Sequence, residues 1–411
     1  MTSPSTHSHI RQYLEHKNYF GLEKDQFTFV EQSTVPAVTN MQGEVDFDQE
    51  TGHLKNKPFG HGESHLLMHN SGIAKKLKEQ GFEWIVFMND TNPLALRFLP
   101  SYIGISSQND WEVAYICAKR KPGEAVGAIC EVIQESGTSI ITNVEYNVLS
   151  KLSVKKPEPV DSDGYSLLPG NINLIIVSLK TYPDNLEATG GIVSEFINPK
   201  VNEDGHTLKS PTRMETLISE YPYLLPDSKR IGAIQCQKLM CFSCAKNEVS
   251  LGLQKQASKM SLETCAACQF EYYDSNRLLL EKLGVKIGSE VEEYTYYGIH
   301  YKVGAKIILH PSFACTFRDL EKSVGEGVSI SSKSMLEIKG KAILKNFELD
   351  GSLRITNPSS NPVSLDGKSF KTKEYITFLP VDPSQPIHYN DHIRGFKATN
   401  TENIINVVPD S

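Results

Sequence analysis

The sequence predicts an α/β protein with a mixed, mainly parallel sheet flanked by helices, followed by a domain of β structure. Apolar, strand-like runs alternate with amphipathic helical stretches through roughly the first three hundred residues, which favours a sheet covered by helices. From about residue 301 the chain is rich in β-branched residues and short glycine turns and has no long helical pattern. We therefore predict a core at residues 1–300 and a C-terminal β domain at 301–411.

Individual elements follow from the spacing of apolar residues. Strands are predicted at 27–32, 83–88, 111–117, 127–133, 139–146 and 231–236. Helices are predicted at 62–80, 212–221 and 274–284, and residues 155–164 read as a loop because of their prolines and charges.

Length, charge and cysteine content exclude several classes of protein. The chain has 411 residues, a formal net charge of −7 and no basic tract, so nothing indicates nucleic-acid binding. Its longest apolar runs, such as 173–179, are too short to cross a bilayer. The first residues lack the charged-then-apolar pattern of a signal peptide. Eight cysteines are too few for a secreted disulfide scaffold, so a cytoplasmic protein with reduced thiols is expected.

The segment KPFGHGESHLLMHNSG, residues 57–72, contains histidines at every fourth position, 61, 65 and 69. That spacing places side chains on one helical face, as in some metal sites. Gly60 and Gly62 bracket His61, however, and paired glycines are typical of a bend where the backbone approaches a ligand. A helix then follows, and its first N–H groups favour anions. We interpret the segment as a loop-to-helix elbow, and the identity of its ligand must come from the rest of the chain.

Three polar clusters follow apolar runs. They are NDTN at 89–92, NVEYN at 143–147 and LPGNIN at 168–173, and the last is expected to begin a helix. In open α/β sheets ligands bind at strand ends. Amides and a few carboxylates around a glycine-rich elbow suit hydrogen bonding to many hydroxyl groups, as in sugars and ribose. Each cluster alone is more typical of a turn or a helix cap.

The motifs together resemble those of the UDP-sugar pyrophosphorylases, relatives of the UTP–glucose-1-phosphate and UDP-N-acetylhexosamine pyrophosphorylases. The matching segments begin with residues 1–22 and 57–72 and continue in order with NDTNPLALRFLP, TNVEYNVL, LPGNINLII, TGGIVSEFINPK and SPTRMETLISEYP. The resemblance implies a Rossmann-like, GT-A-like nucleotidyltransferase core and a C-terminal β-helix-like domain. It also implies a monomeric, Mg²⁺-dependent uridylyltransferase that forms UDP-sugar and pyrophosphate from UTP and a monosaccharide 1-phosphate.

The resemblance also implies site residues. The nucleotide would contact Gln32, which pairs with uracil, and Gly60, His61, Gly62, Asp90 and Asn92. The sugar pocket would be formed by Asn143, Glu145, Asn171, Asn173, Gly190 and Gly191. The catalytic groups would be Lys246, in CFSCAKNE, with His61 and Asp90, and Asp90 is also the candidate Mg²⁺ ligand. Such a reaction needs positioned phosphates and neutralised charge more than a protein acid or base.

In this family a glycine-rich phosphate-binding loop precedes the segment that begins here at Met1, and no segment of this sequence matches it. We expect either a truncated chain or a binding protein that has lost catalysis, and favour truncation because the other site residues form a coherent set. A pyrophosphorylase restricted to glucose 1-phosphate or to an N-acetylhexosamine phosphate is the alternative within enzymes.

A different signal comes from two C-x2-C pairs, Cys241 with Cys244 and Cys265 with Cys268. Four cysteines in this spacing are typical of a tetrahedral zinc site. The first pair overlaps the segment that carries Lys246 and lacks the glycines of a zinc knuckle. Buried free thiols are therefore the favoured interpretation, with structural zinc as the alternative.

Overall fold

A computed structural model covers the chain and describes all residues except 134, 136, 156, 198–201, 203–207, 227–229, 383, 385, 386 and 409–411. The chain forms two compact units. The first comprises Met1–Phe87 and Ile105–Gln235, and the second comprises Met88–Gly104 and Cys236–Ser411. Residues 236–300 thus pack with the C-terminal part of the chain. A functional domain boundary at residue 300 stays a prediction.

The α-helices are α1 His7–His16, α2 Glu63–Asn70, α3 Ile73–Glu79, α4 Leu99–Gln108, α5 Tyr146–Lys155, α6 Tyr182–Thr189, α7 Lys238–Cys241, α8 Val249–Ala257, α9 Cys265–Lys282, α10 Phe317–Ser323 and α11 Tyr389–Arg394. Short 3₁₀ helices lie at Asn18–Gly21, Lys24–Gln26, Ile218–Leu224 and Thr401–Asn403. Within the described chain no helix combines the length and apolar character needed to span a membrane.

The strands of the first unit are β1 Thr34–Val38, β2 Asn56–Pro58, β3 Trp84–Phe87, β4 Val113–Ala118, β5 Ala128–Ile133, β6 Ser139–Val144, β7 Gly170–Ser178, β8 Glu195–Ile197, β9 Thr212–Thr216 and β10 Ile231–Cys236, whose last residue belongs to the second unit. Those of the second unit are β11 Lys286–Ile287, β12 Glu292–Tyr296, β13 Ile299–Val303, β14 Lys306–Leu309, β15 Ser329–Ile330, β16 Met335–Lys339, β17 Ala342–Ile343, β18 Glu348–Leu349, β19 Ser352–Thr356, β20 Val363–Ser364, β21 Ser369–Phe370, β22 Thr377–Pro380, β23 Phe396–Thr399 and β24 Ile405–Val407.

The main sheet of the first unit has the order β10-β4-β7-β5-β6, and β3 also pairs with β7. Strand β4 is buried along its whole length and lies against β7. The α/β class is confirmed, but the mainly parallel arrangement is not: β3–β7, β4–β7, β5–β6 and β5–β7 are all antiparallel. Buried strands of either kind read as continuous apolar runs, so the sequence pattern does not distinguish them.

Several predicted elements differ in detail. Residues 27–32 form no strand and contribute only a bridge between Glu31 and Thr2. The helix expected at 212–221 is instead β9, in a four-stranded sheet of order β2-β1-β9-β8, followed by the 3₁₀ helix Ile218–Leu224. The helix expected at 62–80 is divided into α2 and α3 at Gly72, whose φ of 69° interrupts helical geometry.

The second unit is organised by parallel pairing of short strands. One sheet has the order β14-β16-β19-β24 and another β11-β15-β18-β21, with parallel registers throughout. A third pair, β17 with β20, is also parallel. Leu336, Leu353 and Ile355 from successive strands are fully buried, so stacked strands enclose an apolar core. Helix α9 also belongs to this unit, and the side chain of Thr264 caps its N-terminus.

Candidate functional site

The predicted elbow is formed where residues 60–62 meet the backbone at the end of β9. Gly60 has a φ of 116°, and a Cβ there would lie 2.7 Å from the carbonyl oxygen of Thr216. A Cβ on Gly62 would lie 2.5 Å from the amide nitrogen of Leu217. The Gly62 amide donates a 3.0 Å hydrogen bond to the Thr216 carbonyl. Both glycines are therefore required by close backbone packing.

Gln32 contacts this elbow through its side chain. Its Oε1 accepts a 3.3 Å hydrogen bond from the backbone amide of Gly60. The backbone amide of Gln32 donates a 2.8 Å hydrogen bond to the Thr2 carbonyl. Nearby, the buried carboxylate of Glu63 accepts a 2.8 Å hydrogen bond from the Ser33 amide. Two successive residues, 32 and 33, are thus anchored to the elbow and the first turn of α2. The structure therefore brings together Gln32, predicted to pair with uracil, and Gly60, predicted to contact the nucleotide.

Two histidines fix the elbow to the 3₁₀ helix. His61 Nδ1 accepts a 3.0 Å hydrogen bond from the Ile218 amide, which leaves the proton of a neutral ring on Nε2. His65 is completely buried, and its Nε2 donates to the Ile218 carbonyl at 3.1 Å. Its Nδ1 therefore accepts from the Tyr182 hydroxyl at 2.8 Å, and its ring stacks on Tyr221 with centroids 5.0 Å apart.

Burial lowers the pKa of His65 from its ordinary 6.5 to about 4, and His61 lowers it further, whereas the bond to the Ile218 carbonyl opposes the shift. Both ring nitrogens of His65 have hydrogen-bond partners within the protein, so this buried neutral ring acts as a packing residue and has no nitrogen left for a metal ion. The sequence alone did not indicate that His65 is the buried histidine of the three, because His61, His65 and His69 are evenly spaced.

The predicted sugar residues form one hydrogen-bonded network at the ends of β6 and β7. Asn143 Nδ2 donates to Glu145 Oε1 at 2.7 Å, and Asn143 Oδ1 accepts from Asn171 Nδ2 at 3.0 Å. Asn171 Nδ2 also donates to Asn173 Oδ1 at 3.2 Å. Asn171 and Asn173 lie within β7, not at a helix start as predicted, and Asn173 has a φ of 54°. A register shift in the pairing of β4 with β7 accompanies this geometry.

Glu220 is a site residue that the sequence did not indicate. Burial raises the pKa of its carboxyl from 4.5 to about 7, with a further contribution from the charge of Glu145. The neighbouring Ser219 carbonyl accepts hydrogen bonds from the Tyr115 hydroxyl at 2.7 Å and the Thr142 hydroxyl at 3.3 Å. The 3₁₀ helix is therefore held against β4 and β6. Because residues 212–221 were predicted as a helix, the sequence did not indicate that Glu220 lies close enough to Glu145 for their charges to interact.

Gly190 and Gly191 end α6 with φ values of 69° and 68°. A Cβ on Gly191 would lie 2.7 Å from the His65 carbonyl oxygen, so this turn packs against α2. The end of the quoted TGGIVSEFINPK segment, residues 198–200, lies outside the described residues. A direct sugar contact from the glycine turn stays a prediction.

The remaining predicted residues belong to the second unit. Asn92 is buried; its Nδ2 donates to the Cys241 carbonyl at 2.9 Å and its Oδ1 accepts from the Ser243 amide at 3.1 Å. Asn92 therefore fixes the 89–92 turn beside the segment that carries Lys246. Asp90 and Lys246 are both exposed. Burial raises the pKa of the Cys244 thiol; the charge of Lys246 lowers this pKa and that of Asp90 raises it, so both charges lie close enough to act on the same thiol. Their nucleotide and catalytic roles stay predictions.

The two cysteine pairs have separate hydrogen-bond partners. Cys244 Sγ lies 3.0 Å from the Thr91 hydroxyl, and Cys268 Sγ donates to the Ser243 carbonyl at 3.3 Å. Burial raises the pKa of Cys268 to about 11, so the thiol is protonated in the metal-free chain. Across the part of the chain that the structure describes, no three His, Cys, Asp or Glu side chains are grouped to hold a metal ion. This arrangement gives no support to the four-cysteine zinc alternative or to a histidine metal face.

Comparisons with known proteins agree with the resemblance read from the motifs. The chain is 31% identical over 415 residues to UDP-sugar pyrophosphorylase of Arabidopsis thaliana, covering 98% of this chain and 66% of that protein. It is 30% identical over 413 residues to UDP-sugar pyrophosphorylase of Oryza sativa subsp. indica, with the same coverage of 98% and 66%. The chain thus spans just under two thirds of the length of these relatives.

Among solved structures, the chain resembles in fold the Entamoeba histolytica protein assigned as a UDP-N-acetylglucosamine pyrophosphorylase. The TM-score is 0.57 at 20% identity, over 82% of this chain and 76% of that one. The sequence profile described as UTP–glucose-1-phosphate uridylyltransferase matches residues 1–221, more than half of the chain. The chain therefore belongs to the UTP–glucose-1-phosphate uridylyltransferase family.

Proposed function

We propose that the protein transfers a uridylyl group from UTP to a monosaccharide 1-phosphate, forming UDP-sugar and pyrophosphate. The observation that carries this proposal is the pairing of two features in the first unit. One is the elbow joined to Gln32, and the other is the network of Asn143, Glu145, Asn171 and Asn173. Family membership and the similarity to two UDP-sugar pyrophosphorylases support the reaction.

In the proposed reaction an oxygen of the sugar phosphate attacks the α-phosphorus of UTP. The bond from that phosphorus to the bridging oxygen breaks, and pyrophosphate leaves with the electron pair. Gln32 and the Gly60 backbone hold the base, and His61 offers its Nε2 proton to a phosphate oxygen. Lys246, the catalytic lysine that the family resemblance implies, would supply a positive charge to the phosphorus while it is pentacoordinate. No protein nucleophile is needed.

The amide network suits recognition of sugar hydroxyls. Its donors and acceptors are preorganised by bonds among Asn143, Glu145 and Asn171, so little side-chain ordering is required when a sugar binds. Glu220, with its raised pKa, adds a carboxyl group beside Glu145 that donates a proton when neutral. The choice among hexoses depends on these polar positions.

Mg²⁺ is the metal that we propose for this reaction. This ion binds through substrate phosphates and one or two carboxylates rather than through a full protein cage. Asp90 would supply such a carboxylate, and its side chain is exposed. When bound, Mg²⁺ neutralises phosphate charge as the leaving group departs.

We also propose finer assignments of architecture and setting. A GT-A-like nucleotidyltransferase core is supported by the mixed helix and sheet organisation of the first unit. A β-helix-like C-terminal domain is supported by parallel registers that recur between successive short strands. A cytoplasmic monomer is the proposed state, consistent with eight free cysteines.

Pyrophosphate release tests the function directly. The purified protein is mixed with UTP, Mg²⁺ and glucose 1-phosphate, galactose 1-phosphate or N-acetylglucosamine 1-phosphate, and the nucleotide products are separated by chromatography. We expect stoichiometric pyrophosphate and UDP-sugar with at least one sugar phosphate, and none when UTP is replaced by ATP. Binding of UDP-sugar without turnover on any substrate would favour a non-catalytic binding protein.

A further inference from the structure

The second unit contains a largely apolar cavity that the proposed reaction does not use. Its volume is about 390 Å³, within the range of small-molecule sites. The segment 93–100, helix α9, the end of β14 and the start of α10 surround it. The main apolar walls are Leu96, Phe98, Tyr272, Leu309, Phe317 and Leu320.

Arg97 lines this cavity, and no carboxylate among the described residues forms an ion pair with its guanidinium. Its Nη1 donates to Asn276 Oδ1 at 2.6 Å, and the guanidinium lies 5.2 Å from the centroid of the Tyr272 ring. Its Nε is buried and has no hydrogen-bond partner among the residues that the structure describes. None of the ion pairs formed by those residues includes Arg97.

The partner of Arg97 fixes its position without satisfying its charge. Asn276 is completely buried, and its Nδ2 donates to the Ile307 carbonyl at 2.8 Å. The amide of Asn276 is therefore oriented with its oxygen toward the guanidinium. Partly burying a guanidinium without an anion is unfavourable, and a guanidinium stays protonated in proteins. The guanidinium of Arg97 can therefore donate two or more N–H hydrogen bonds to an anionic ligand.

We propose that this cavity binds a small carboxylate that carries an aromatic or branched aliphatic body. The carboxylate would pair with Arg97, and the body would pack against Phe98, Tyr272 and Phe317. The charge complementarity selects an anion, and the apolar walls select against a nucleotide or a sugar phosphate, whose polar groups would lose their water there. None of the residues assigned to UTP or to the sugar lines this cavity.

Cys315 provides a reporter for occupancy. It lines the cavity and is the exposed cysteine of the eight. The probes are 3-phenylpropionate and its neutral counterpart 3-phenylpropan-1-ol. Alkylation of Cys315 by iodoacetamide is followed by peptide mass spectrometry, and binding is measured by calorimetry. We expect 3-phenylpropionate to bind with a dissociation constant of about 1 mM or lower, given its few atoms, and to slow alkylation, while the alcohol binds at least about tenfold more weakly.

Two variants identify the anion partner. Arg97→Met should weaken 3-phenylpropionate binding by about tenfold or more, because it removes a charge-assisted pair. Arg318→Met, at an exposed arginine of α10 that does not line the cavity, should bind as the wild type does. Absence of 3-phenylpropionate binding, equal binding of the alcohol, or unchanged binding by Arg97→Met would overturn the proposal. If Arg97→Met does not fold, the comparison of acid and alcohol on the wild type, with protection of Cys315, decides.

Discussion

Stability of the first unit should depend on the neutrality of His65. The pKa of this buried ring is lowered by burial from 6.5 to about 4, so between these values the unfolded chain binds a proton that the folded chain does not. The contribution of His65 to stability therefore rises with pH across this window and falls as the pH is lowered from 6.5 toward 4. The full shift corresponds to about 3 kcal/mol, of which about 2 kcal/mol is lost between pH 7 and pH 5.

The His65→Gln variant removes this titration. Its unfolding free energy should be lower than that of the wild type at pH 7, because the stacking on Tyr221 is lost, but it should fall less steeply as the pH is lowered to 5. The difference between the two pH dependences should be about 2 kcal/mol over this range. His69→Gln, on the same helix but not fully buried, is the matched control and should keep the wild-type slope.

Urea unfolding followed by tryptophan fluorescence gives the measurement. Both tryptophans of the chain, Trp84 and Trp111, lie in the first unit, so the signal reports on the unit that contains His65. Curves collected at several pH values from 5 to 7 give the two slopes. Equal slopes for the wild type and His65→Gln would mean that the pKa of His65 is the same in the folded and unfolded states, contrary to its burial.

Three further predictions concern the proposed site. Gln32→Ala should weaken binding of UTP and UDP-glucose alike by about tenfold, because one or two hydrogen bonds to the base are lost. The control Gln42→Ala, at an exposed position of the same unit, should bind both as the wild type does. If calorimetry shows that Gln32→Ala weakens binding of only one UDP-sugar, Gln32 does not contact the base. The raised pKa of Glu220 lowers wild-type stability as the pH rises from 4.5 through about 7, opposite in sign to the contribution of His65, because the folded state holds the Glu220 proton more tightly. Glu220→Gln should remove this contribution, so its unfolding free energy should rise relative to that of the wild type between pH 5 and pH 8 in the same urea assay; an unchanged difference between the two proteins argues against a raised pKa. Lys246→Ala should lower kcat far more than it raises KM. The control Lys341→Ala, at an exposed lysine of the same unit, should retain wild-type turnover. Equal kcat for the two variants would show that Lys246 takes no part in the reaction.

Local chemistry made part of the site predictable from sequence. Gly60 and Gly62 are needed because of backbone approaches within 3 Å, and paired glycines around a histidine carry that signal directly. Asn143 and Glu145 follow a strand pattern, and the structure joins them to Asn171. The first unit is also recognisable as α/β, because its core strands are strongly apolar.

Long-range pairing was not predictable in the same way. Strand β7 runs antiparallel to both β3 and β4, a choice made by chain path and not by composition. The 3₁₀ helix that carries Glu220 was read as part of an α-helix, and its role depends on contacts with Tyr115 and Thr142 that are distant in sequence. Arg97 looks like an ordinary surface charge until α9 and α10 surround it.

We propose that the elbow and the amide network form one site for a uridine nucleotide joined to a hexose. Saturation-transfer NMR of UDP-glucose with the purified protein measures whether both rings are bound. We expect strong transfer to the uracil and hexose protons together, competed away by UTP and absent with CDP-glucose at the same concentration. Transfer to neither ring, or equal transfer with CDP-glucose, would contradict it.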